Sequence, residues 1–358
     1  MLKKNIACLH TILKNIDANR EIIKMNSILP FILFIVGFAI VVKGSDWFVE
    51  ATVRIARAFK VPDVIIGATL VSLCTTLPEL MVSSSSALKG NANIAFGNAL
   101  GSIACNAGLI LATIILLSQP EVLHRKSLKT KSLLCIALLV FVALNGMLFG
   151  FLTRQSGIIL LLVLAWYLYR NIKKSLTYNS KKDFDDDDEL DVDINEYAKN
   201  GNGLKGRKLL KTILEFAVGL FFTIVGSDII VDNAQVISKL IGIPDIVIGL
   251  TLTAVGTSLP EFITAITAIR KNVHNVSIGN ILGANILNII WVMSVSSIIL
   301  PIPLKQNLLY VNLPFVLAIN ILPLIYFSFS KKNIKRINGA ILLSLYVIYV
   351  ATTFLTSQ

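Results

Sequence analysis

Long apolar stretches occupy most of this 358-residue chain and constrain its fold more than any other feature. A helix that crosses a bilayer needs roughly 17 to 25 mainly apolar residues. We identify about ten such stretches, near 28–58, 62–88, 92–118, 132–151, 156–170, 208–240, 244–270, 276–300, 307–329 and 337–356. Only 15% of the residues are charged, against about 25% in soluble domains, which excludes a cytosolic enzyme. The sequence predicts an all-α polytopic membrane protein.

Basic residues are distributed unevenly among the connections between these stretches. Of the 33 Lys and Arg residues, 23 fall in the connections after spans 1, 3, 5, 7 and 9, and one falls in each connection after spans 2, 4, 6 and 8. Because basic residues concentrate in cytoplasmic loops, we expect these five connections in the cytoplasm, both termini outside, and residence in the cell membrane. The net charge of +12 then reports topology, and no nucleic-acid partner is predicted.

Two polar segments flank the predicted membrane halves, which are 28–172 and 208–358. Residues 1–27 form a basic leader without the apolar centre and cleavage site of a secretory signal, and its five basic residues run against the orientation above. Residues 173–207 form an acidic linker that contains nine of the 21 acidic residues. No EF-hand register is present in it, so we predict a solvated, disordered cytoplasmic segment.

An internal duplication relates the two halves. A single shift of 182 residues aligns 44–106 with 226–288 without a gap, and 22 of the 63 aligned positions are identical. Most of these identities fall at Gly, Pro and polar positions, which shared hydrophobicity does not explain. Each half is predicted to hold five spans, and an odd number places the second copy upside down. Secondary transporters use this plan, with a substrate site at the repeat interface, although channels and scaffolds also use it.

Two acidic residues, Glu79 and Glu261, lie deep within apolar stretches at equivalent positions of the duplication. An ionised carboxylate at that depth costs several kcal/mol unless it is paired or faces a polar cavity. The flanking spans offer no basic residue as a partner, so a bound cation is the natural one. A protonated acid that is hydrogen-bonded between helices is the alternative, and the symmetry of the pair argues against it.

A proline precedes each of these acids. Pro78 and Pro260 lack an N–H group, which frees a backbone carbonyl and breaks the helix within the membrane. Four hydroxyl groups are predicted in the same turns: Thr75, Thr76, Thr257 and Ser258. Carboxylate, hydroxyl and carbonyl oxygens are ligands for hard cations such as Ca²⁺. Each motif alone is common in membrane helices, and their duplication beside two acids indicates a cation site.

Two asparagines follow small-residue clusters that are also duplicated. Asn106 lies four residues after Ser102, and Asn288 is its equivalent in the second copy. The glycines of these clusters permit close helix contact, which is their alternative role. Residues spaced four apart share one helical face, so we predict that these polar side chains point toward the cation cavity.

Together these motifs resemble the sodium/calcium exchangers of the cation/Ca²⁺ antiporter superfamily. The signature Gly-Thr-Ser-Leu-Pro-Glu stands complete at 256–261, and its first copy reads Cys-Thr-Thr-Leu-Pro-Glu at 74–79. The resemblance implies that Ca²⁺ is bound by Glu79, Glu261, Thr75 and Thr257. It further implies that sodium sites, or the central site, are completed by Thr76, Ser258, Ser102, Asn106, Asn288 and the carbonyls of Ser72 and Ala254.

The chain departs from the family pattern at four positions. Ala284 stands where the family usually has Ser, and Asn288 stands where many prokaryotic members have Asp. Cys74 replaces a motif Gly, and Ile103 replaces an Asn. These departures bear on which counter-ion is used and on how many sodium ions are bound.

The expected function is secondary active exchange of Ca²⁺ for Na⁺ by alternating access. Ca²⁺ and Na⁺ are then substrates, membrane lipid surrounds the protein, and no resident cofactor is expected. An H⁺/Ca²⁺ antiporter of the same fold is the alternative, and a cation channel is less favoured. We do not predict an enzyme, because the three His residues lie outside the spans and no HExxH motif occurs.

Overall fold

The structure is a computed structural model, and it describes residues 28–55, 72–121, 125–180, 207–270, 274–329 and 334–356. Most of the chain between these bounds is helical, as the sequence predicted. The predicted leader 1–27 and most of the acidic linker lie outside the described residues.

Twelve helices account for most of the described residues. In chain order they are α1 (Ile28–Ile55), α2 (Ser72–Thr75), α3 (Leu77–Leu88), α4 (Ala92–Ser118), α5 (Arg125–Phe149), α6 (Arg154–Ser180), α7 (Arg207–Ile241), α8 (Asp245–Thr257), α9 (Leu259–Arg270), α10 (His274–Leu287, continued by Asn288–Met293 and Ser294–Ile299), α11 (Leu308–Phe329) and α12 (Arg336–Leu355). Among the described residues, eight helices are long and apolar enough to cross a membrane, and the bent pair α8–α9 makes a ninth span. About ten spans were predicted, and residues 62–71 of the predicted second one lie outside the described residues.

Several helices extend past the apolar stretches that predicted them. Helix α5 begins at Arg125, although its apolar stretch was predicted from residue 132, and α6 continues to Ser180. The added turns are rich in Lys and Arg. Long basic side chains can keep their charged ends in water while the backbone remains helical, so hydropathy marks the bilayer core and not the helix end.

Both proline motifs interrupt a helix, as predicted. Helices α8 and α9 meet at Ser258 with a bend of 41°. Helices α2 and α3 meet at Thr76, whose backbone angles are close to those of Ser258. After each break the helix restarts: Leu80 N–H donates to the Thr76 carbonyl at 3.1 Å, and Phe262 N–H donates to the Ser258 carbonyl at 3.1 Å. Glu79 and Glu261 therefore lie in the first turn of a new helix.

A π-helical turn interrupts each of the two central helices at the same repeat position. In α4 this turn is Asn106–Ile110, and in α10 it is Asn288–Met293. A third π-helical turn, Gly249–Thr253, lies in α8 before its break. Such turns add a residue to the helix and are frequent at functional sites. Nothing in the sequence pattern predicted them.

The 182-residue relation extends to the short connections of the molecule. Phe151–Leu152 pairs antiparallel with Ile302–Pro303, with Leu152 opposite Ile302. Ile334 N–H donates to the Pro120 carbonyl at 3.1 Å. Ile334 and Pro120 are the positions that the shift assigns to Leu152 and Ile302. The duplication therefore extends well beyond the 44–106 segment in which the sequence revealed it.

Helices α1 and α7 cross in backbone contact. A Cβ atom at Gly44 would lie 2.8 Å from the Thr223 nitrogen and 3.0 Å from the Gly219 carbonyl oxygen. A Cβ atom at Gly219 would in turn lie 2.8 Å from the Gly44 carbonyl oxygen. Only glycine permits this approach of two helices, and the contact joins the two halves of the chain.

Of the eight long apolar helices among the described residues, α4 and α10 are the most buried. Of their apolar windows, 78% and 83% are buried, against 28% for α7 and for α12. Phe96 of α4 and Ile289 of α10 are fully buried in the main apolar core. Large apolar side chains of α1 and α7, such as Ile35 and Phe221, are exposed instead, which suits helices that face lipid. The two central helices carry the predicted asparagines.

Candidate functional site

Glu79 and Glu261 are the only two acidic side chains that are buried among the described residues, with exposed fractions of 0% and 2%. Each follows a helix break, so the backbone of the preceding turn and the first turn of the next helix surround it. No Lys or Arg side chain pairs with either carboxylate in the part of the chain that is described.

The two carboxylates differ in their hydrogen bonds. The Ser258 hydroxyl donates to Glu79 Oε1 at 3.4 Å. Glu79 Oε2 and both oxygens of Glu261 have no hydrogen-bond partner among the described residues. Hydroxyl groups also act on the carboxylates across the repeats without a hydrogen bond of normal geometry, Thr257 on Glu79 and Thr75 on Glu261. Buried carboxylate oxygens without partners are rare in a folded protein, so these three are free to bind a cation.

A hydrogen-bond network joins the two repeats beside Glu79. Asn98 donates through Nδ2 to the Glu79 carbonyl at 3.2 Å, and Thr257 Oγ1 donates to Asn98 Oδ1 at 3.1 Å. Ser102 Oγ lies 3.3 Å from Thr257 Oγ1 and 3.5 Å from the Ala254 carbonyl oxygen. The predicted residues Ser102, Thr257 and Ala254 are thus brought together.

Asn106 and Asn288 lie at the first residue of their π-helical turns and are 0% and 1% exposed. Neither the oxygen nor the nitrogen of either amide has a hydrogen-bond partner among the described residues. A buried amide without a partner costs about 1–3 kcal/mol, and two of them at equivalent positions indicate that a water or an ion completes them.

The remaining predicted residues lie in the same turns. Thr76 is fully buried at the break between α2 and α3, and Ser258 is 1% exposed at the break between α8 and α9. Ser72 is the first residue of α2, three residues before Thr75. Ala284 is fully buried in α10 and offers no side-chain oxygen at the position equivalent to Ser102.

Two polar residues near the site were not among the predicted ligands. Asn98 is fully buried and contacts both repeats, and its identity with Asn280 in the second copy was a signal that could have identified it. Thr253, in the π-helical turn of α8, has a fully buried hydroxyl without a partner among the described residues. Its repeat equivalent is Val71, so the duplication gave no signal for it.

Most residues of the candidate site are buried. A cavity of about 230 Å³ lies elsewhere, where α4, α8, α11 and α12 meet, and Asn93, Leu250 and Lys305 are among its lining residues. None of the predicted site residues lines that cavity. A pair of carboxylates among buried hydroxyl and amide oxygens suits hard cations, which take oxygen ligands.

Known proteins are similar to this chain in sequence and in fold. A family profile described as "Sodium/calcium exchanger protein" matches residues 29–173 and 211–355, two segments that the 182-residue shift superimposes. The sodium/calcium exchanger MaX1 of Methanosarcina acetivorans is 30% identical over 90% of this chain and 98% of its own length. The uncharacterized membrane protein MJ0091 of Methanocaldococcus jannaschii is 30% identical over 89% of this chain and 96% of its own.

A solved structure of the sodium-calcium exchanger NCX_Mj is similar to this one. The TM-score is 0.59 at 29% sequence identity, and the match covers 91% of this chain and 99% of the exchanger.

Proposed function

Because this chain belongs to the sodium/calcium exchanger family, we propose that it exchanges Ca²⁺ for Na⁺ across the membrane as a secondary active antiporter with alternating access. It is a multi-pass membrane protein and works as a transporter. The observation that carries the proposal is the pair of buried carboxylates, one from each repeat, with no basic partner among the described residues.

Charge balance gives the mechanism. With neutral Asn106 and Asn288 beside Glu79 and Glu261, the formal charge of the site is −2 when both acids are ionised. One Ca²⁺ neutralises that charge, and so do two Na⁺. An unneutralised charge that is buried in the membrane is costly. Binding of one substrate therefore expels the other. The site that is loaded with ions is the form that can be exposed on the opposite side of the membrane.

The proposed ligands follow from this balance. Glu79, Glu261, Thr75 and Thr257 bind Ca²⁺, which takes carboxylate and neutral oxygens together. The neutral oxygens that complete the sodium sites, or the central site, belong to Thr76, Ser258, Ser102, Asn106, Asn288 and the carbonyls of Ser72 and Ala254. Support comes from the unpartnered oxygens of both acids and both asparagines.

The proposed organisation is two inverted repeats, 28–172 and 208–358, in the cell membrane. The 173–207 linker is cytoplasmic, and both termini are outside, in accord with the distribution of basic residues. A cysteine placed in this linker is then expected to react with an impermeant thiol reagent only after the cells are opened. Labelling in intact cells would show that the linker lies outside and that the orientation is the opposite one. Ca²⁺ and Na⁺ are bound only as substrates, and no resident cofactor is proposed.

The decisive experiment separates the driving ions. Purified protein in proteoliposomes loaded with Na⁺ is diluted into Na⁺-free buffer that contains ⁴⁵Ca²⁺. Uptake is expected with the outward Na⁺ gradient and is expected to collapse when a sodium ionophore dissipates it. Uptake that follows a pH gradient alone would make the protein an H⁺/Ca²⁺ antiporter. Uptake without any counter-ion gradient would make it a channel.

A further inference from the structure

Asn98 is a buried residue of this site that is not among the proposed substrate ligands. Its side chain is fully buried in α4 and hydrogen-bonds to residues of both repeats. Its backbone is fixed as well, because a Cβ atom at the preceding Gly97 would lie 2.8 Å from the Ile246 carbonyl oxygen and 2.9 Å from the Leu250 nitrogen of α8. Asn98 is therefore held between the two halves of the molecule.

The orientation of the Asn98 amide follows from its partners. Its nitrogen faces the Glu79 carbonyl at 3.2 Å and the Ser83 hydroxyl at 2.9 Å. A carbonyl only accepts hydrogen bonds, so the amide nitrogen and not the oxygen must lie on that side. Asn98 Oδ1 consequently faces the other way, toward Thr257 Oγ1 at 3.1 Å.

Thr257 carries one hydroxyl proton, and the direction of that proton decides what the oxygen can do. A hydroxyl has one donor and two acceptor lone pairs, and it binds a cation only when its proton points away. Asn98 Oδ1 at 3.1 Å, the Ala254 carbonyl at 3.2 Å and Ser102 Oγ at 3.3 Å can each accept this proton, as can the Glu79 carboxylate while no cation is bound to it. If the proton goes to Ala254, it uses one lone pair of that carbonyl oxygen, and Ser102 Oγ at 3.5 Å competes for the other. If it goes to Asn98, both Thr257 and Ala254 keep lone pairs for the substrate.

We infer that Asn98 is a positioning residue that accepts the Thr257 proton and so turns the Thr257 oxygen toward the cation held between Glu79 and Glu261. This inference rests on the proposed function. Asn98 does not touch the ion in this account, and it acts on ion affinity through Thr257. Ser83 takes part indirectly, because its hydrogen bond anchors the Asn98 amide nitrogen, while the Glu79 carbonyl fixes which way the amide points.

The second copy of the motif provides the contrast. Asn280 is the equivalent of Asn98, but Ala265 replaces Ser83 as the anchor of its amide. The Asn280 side chain is only half buried, whereas that of Asn98 is fully buried. The asparagine that orients a ligand thus lies in the first repeat, and the threonine that it orients, Thr257, lies in the second.

The test is a double-mutant cycle in proteoliposomes, with half-saturating Ca²⁺ and maximal ⁴⁵Ca²⁺ uptake measured separately. Asn98→Ala and Asn98→Leu are expected to raise the half-saturating Ca²⁺ concentration about tenfold, as the loss of one well-oriented ligand would, with maximal uptake changed less than about twofold. In a Thr257→Val background, Asn98→Ala should add little, because coupled residues are not additive. Asn312→Ala, which removes another buried asparagine, is the matched control and should keep the wild-type constants.

The outcomes distinguish this inference from the proposed function. If wild-type protein shows no Na⁺-driven uptake, the proposed function fails. If wild-type uptake is normal but the effects of Asn98→Ala and Thr257→Val are additive, or maximal uptake falls at unchanged half-saturation, the positioning role is overturned. Should both Asn98 variants fail to reach the membrane, Ser83→Ala replaces them in the test. It is expected to raise half-saturation about threefold by loosening the amide, and an unchanged constant would overturn the inference.

Discussion

The two copies of the acidic motif present the same carboxylate in different surroundings. Glu79 accepts a hydrogen bond from Ser258, and Asn98 holds its backbone carbonyl. Both oxygens of Glu261 lack a hydrogen-bond partner among the described residues. The duplication has kept the charges equivalent while the neutral groups around them have diverged. Equivalent substitutions in the two repeats therefore measure how far the site departs from its own symmetry.

The largest effect is expected from neutralising either acid. Glu79→Gln and Glu261→Gln each leave a site of charge −1, which no longer balances Ca²⁺. Breaking a buried ion pair costs about 3–5 kcal/mol, so Na⁺-driven ⁴⁵Ca²⁺ uptake should fall at least about 100-fold in both variants. Here the two repeats should behave alike. Glu121→Gln, which removes an exposed carboxylate, is the control, and retained uptake in either buried-acid variant would refute the charge balance.

A smaller effect, and a strong asymmetry, is expected at two equivalent glycines. A Cβ atom at Gly97 would meet backbone atoms of α8 at 2.8 and 2.9 Å, whereas one at Gly279 would lie 3.6 Å from Lys131 Nζ, its nearest described neighbour. Backbone atoms can move aside less easily than the end of a flexible side chain. Gly97→Ala should therefore lower the free energy of unfolding by about 1–3 kcal/mol. Gly279→Ala should change it by less than about 0.5 kcal/mol. Denaturation of the purified variants in detergent measures both, and equal losses would contradict the asymmetry.

Exchanging Ser102 and Ala284 tests the divergence of the neutral ligands. Ser102→Ala gives the first repeat the residue of the second, and the loss of one ligand hydroxyl, worth about 1 kcal/mol, should raise half-saturating Na⁺ about fivefold. Ala284→Ser restores an oxygen in α10 and should lower half-saturating Na⁺ by about twofold. The Na⁺ dependence of ⁴⁵Ca²⁺ release from loaded proteoliposomes reports both values. A rise for Ala284→Ser would show that this position faces away from the sodium sites.

The smallest effect is expected at an exposed ion-pair cluster that joins the halves. Lys89 Nζ lies 2.7 Å from Asp232 Oδ1 and 3.3 Å from Asp228 Oδ1, and Ser85 also donates to Asp228. The two aspartates are 63% and 48% exposed, so solvent screens the pairs, which are worth about 0–1 kcal/mol. Lys89→Ala should lower thermal stability slightly at low salt, and the difference from wild type should vanish in about 1 M salt. A loss that persists at high salt would indicate packing by the lysine stem instead.

Much of this site could be predicted from the sequence because its parts are local. Glu79 and Glu261 were identified because they are acidic residues deep within apolar stretches. Pro78 and Pro260 predicted the two helix breaks beside them. The start of α5 at Arg125 could not be read from hydropathy, because basic turns outside the bilayer core remain helical. The π-helical turns were missed for another reason, since an added residue leaves no compositional trace.

The role of Asn98 was missed because it depends on distant pairing. Its partner Thr257 lies 159 residues away, and only the three-dimensional contact shows which amide atom faces which group. The sequence did contain one clue, the identity of Asn98 and Asn280, but identity alone does not separate a helix-packing residue from one that orients a ligand.

The hydrogen bond between Ser258 and Glu79 spans 179 residues, and this separation has a consequence during synthesis. At about 5–20 residues per second, roughly 10 to 35 s pass between translation of the acid and translation of the serine that hydrogen-bonds to it. Throughout that interval the first half exists without Thr257, Ser258 and Glu261. Its carboxylate must therefore take up a proton or stay at a wet interface until the second half enters the membrane. Completion of the site is thus a late event of biogenesis, and a ribosome that stalls between the halves leaves an acid with no partner from the second half.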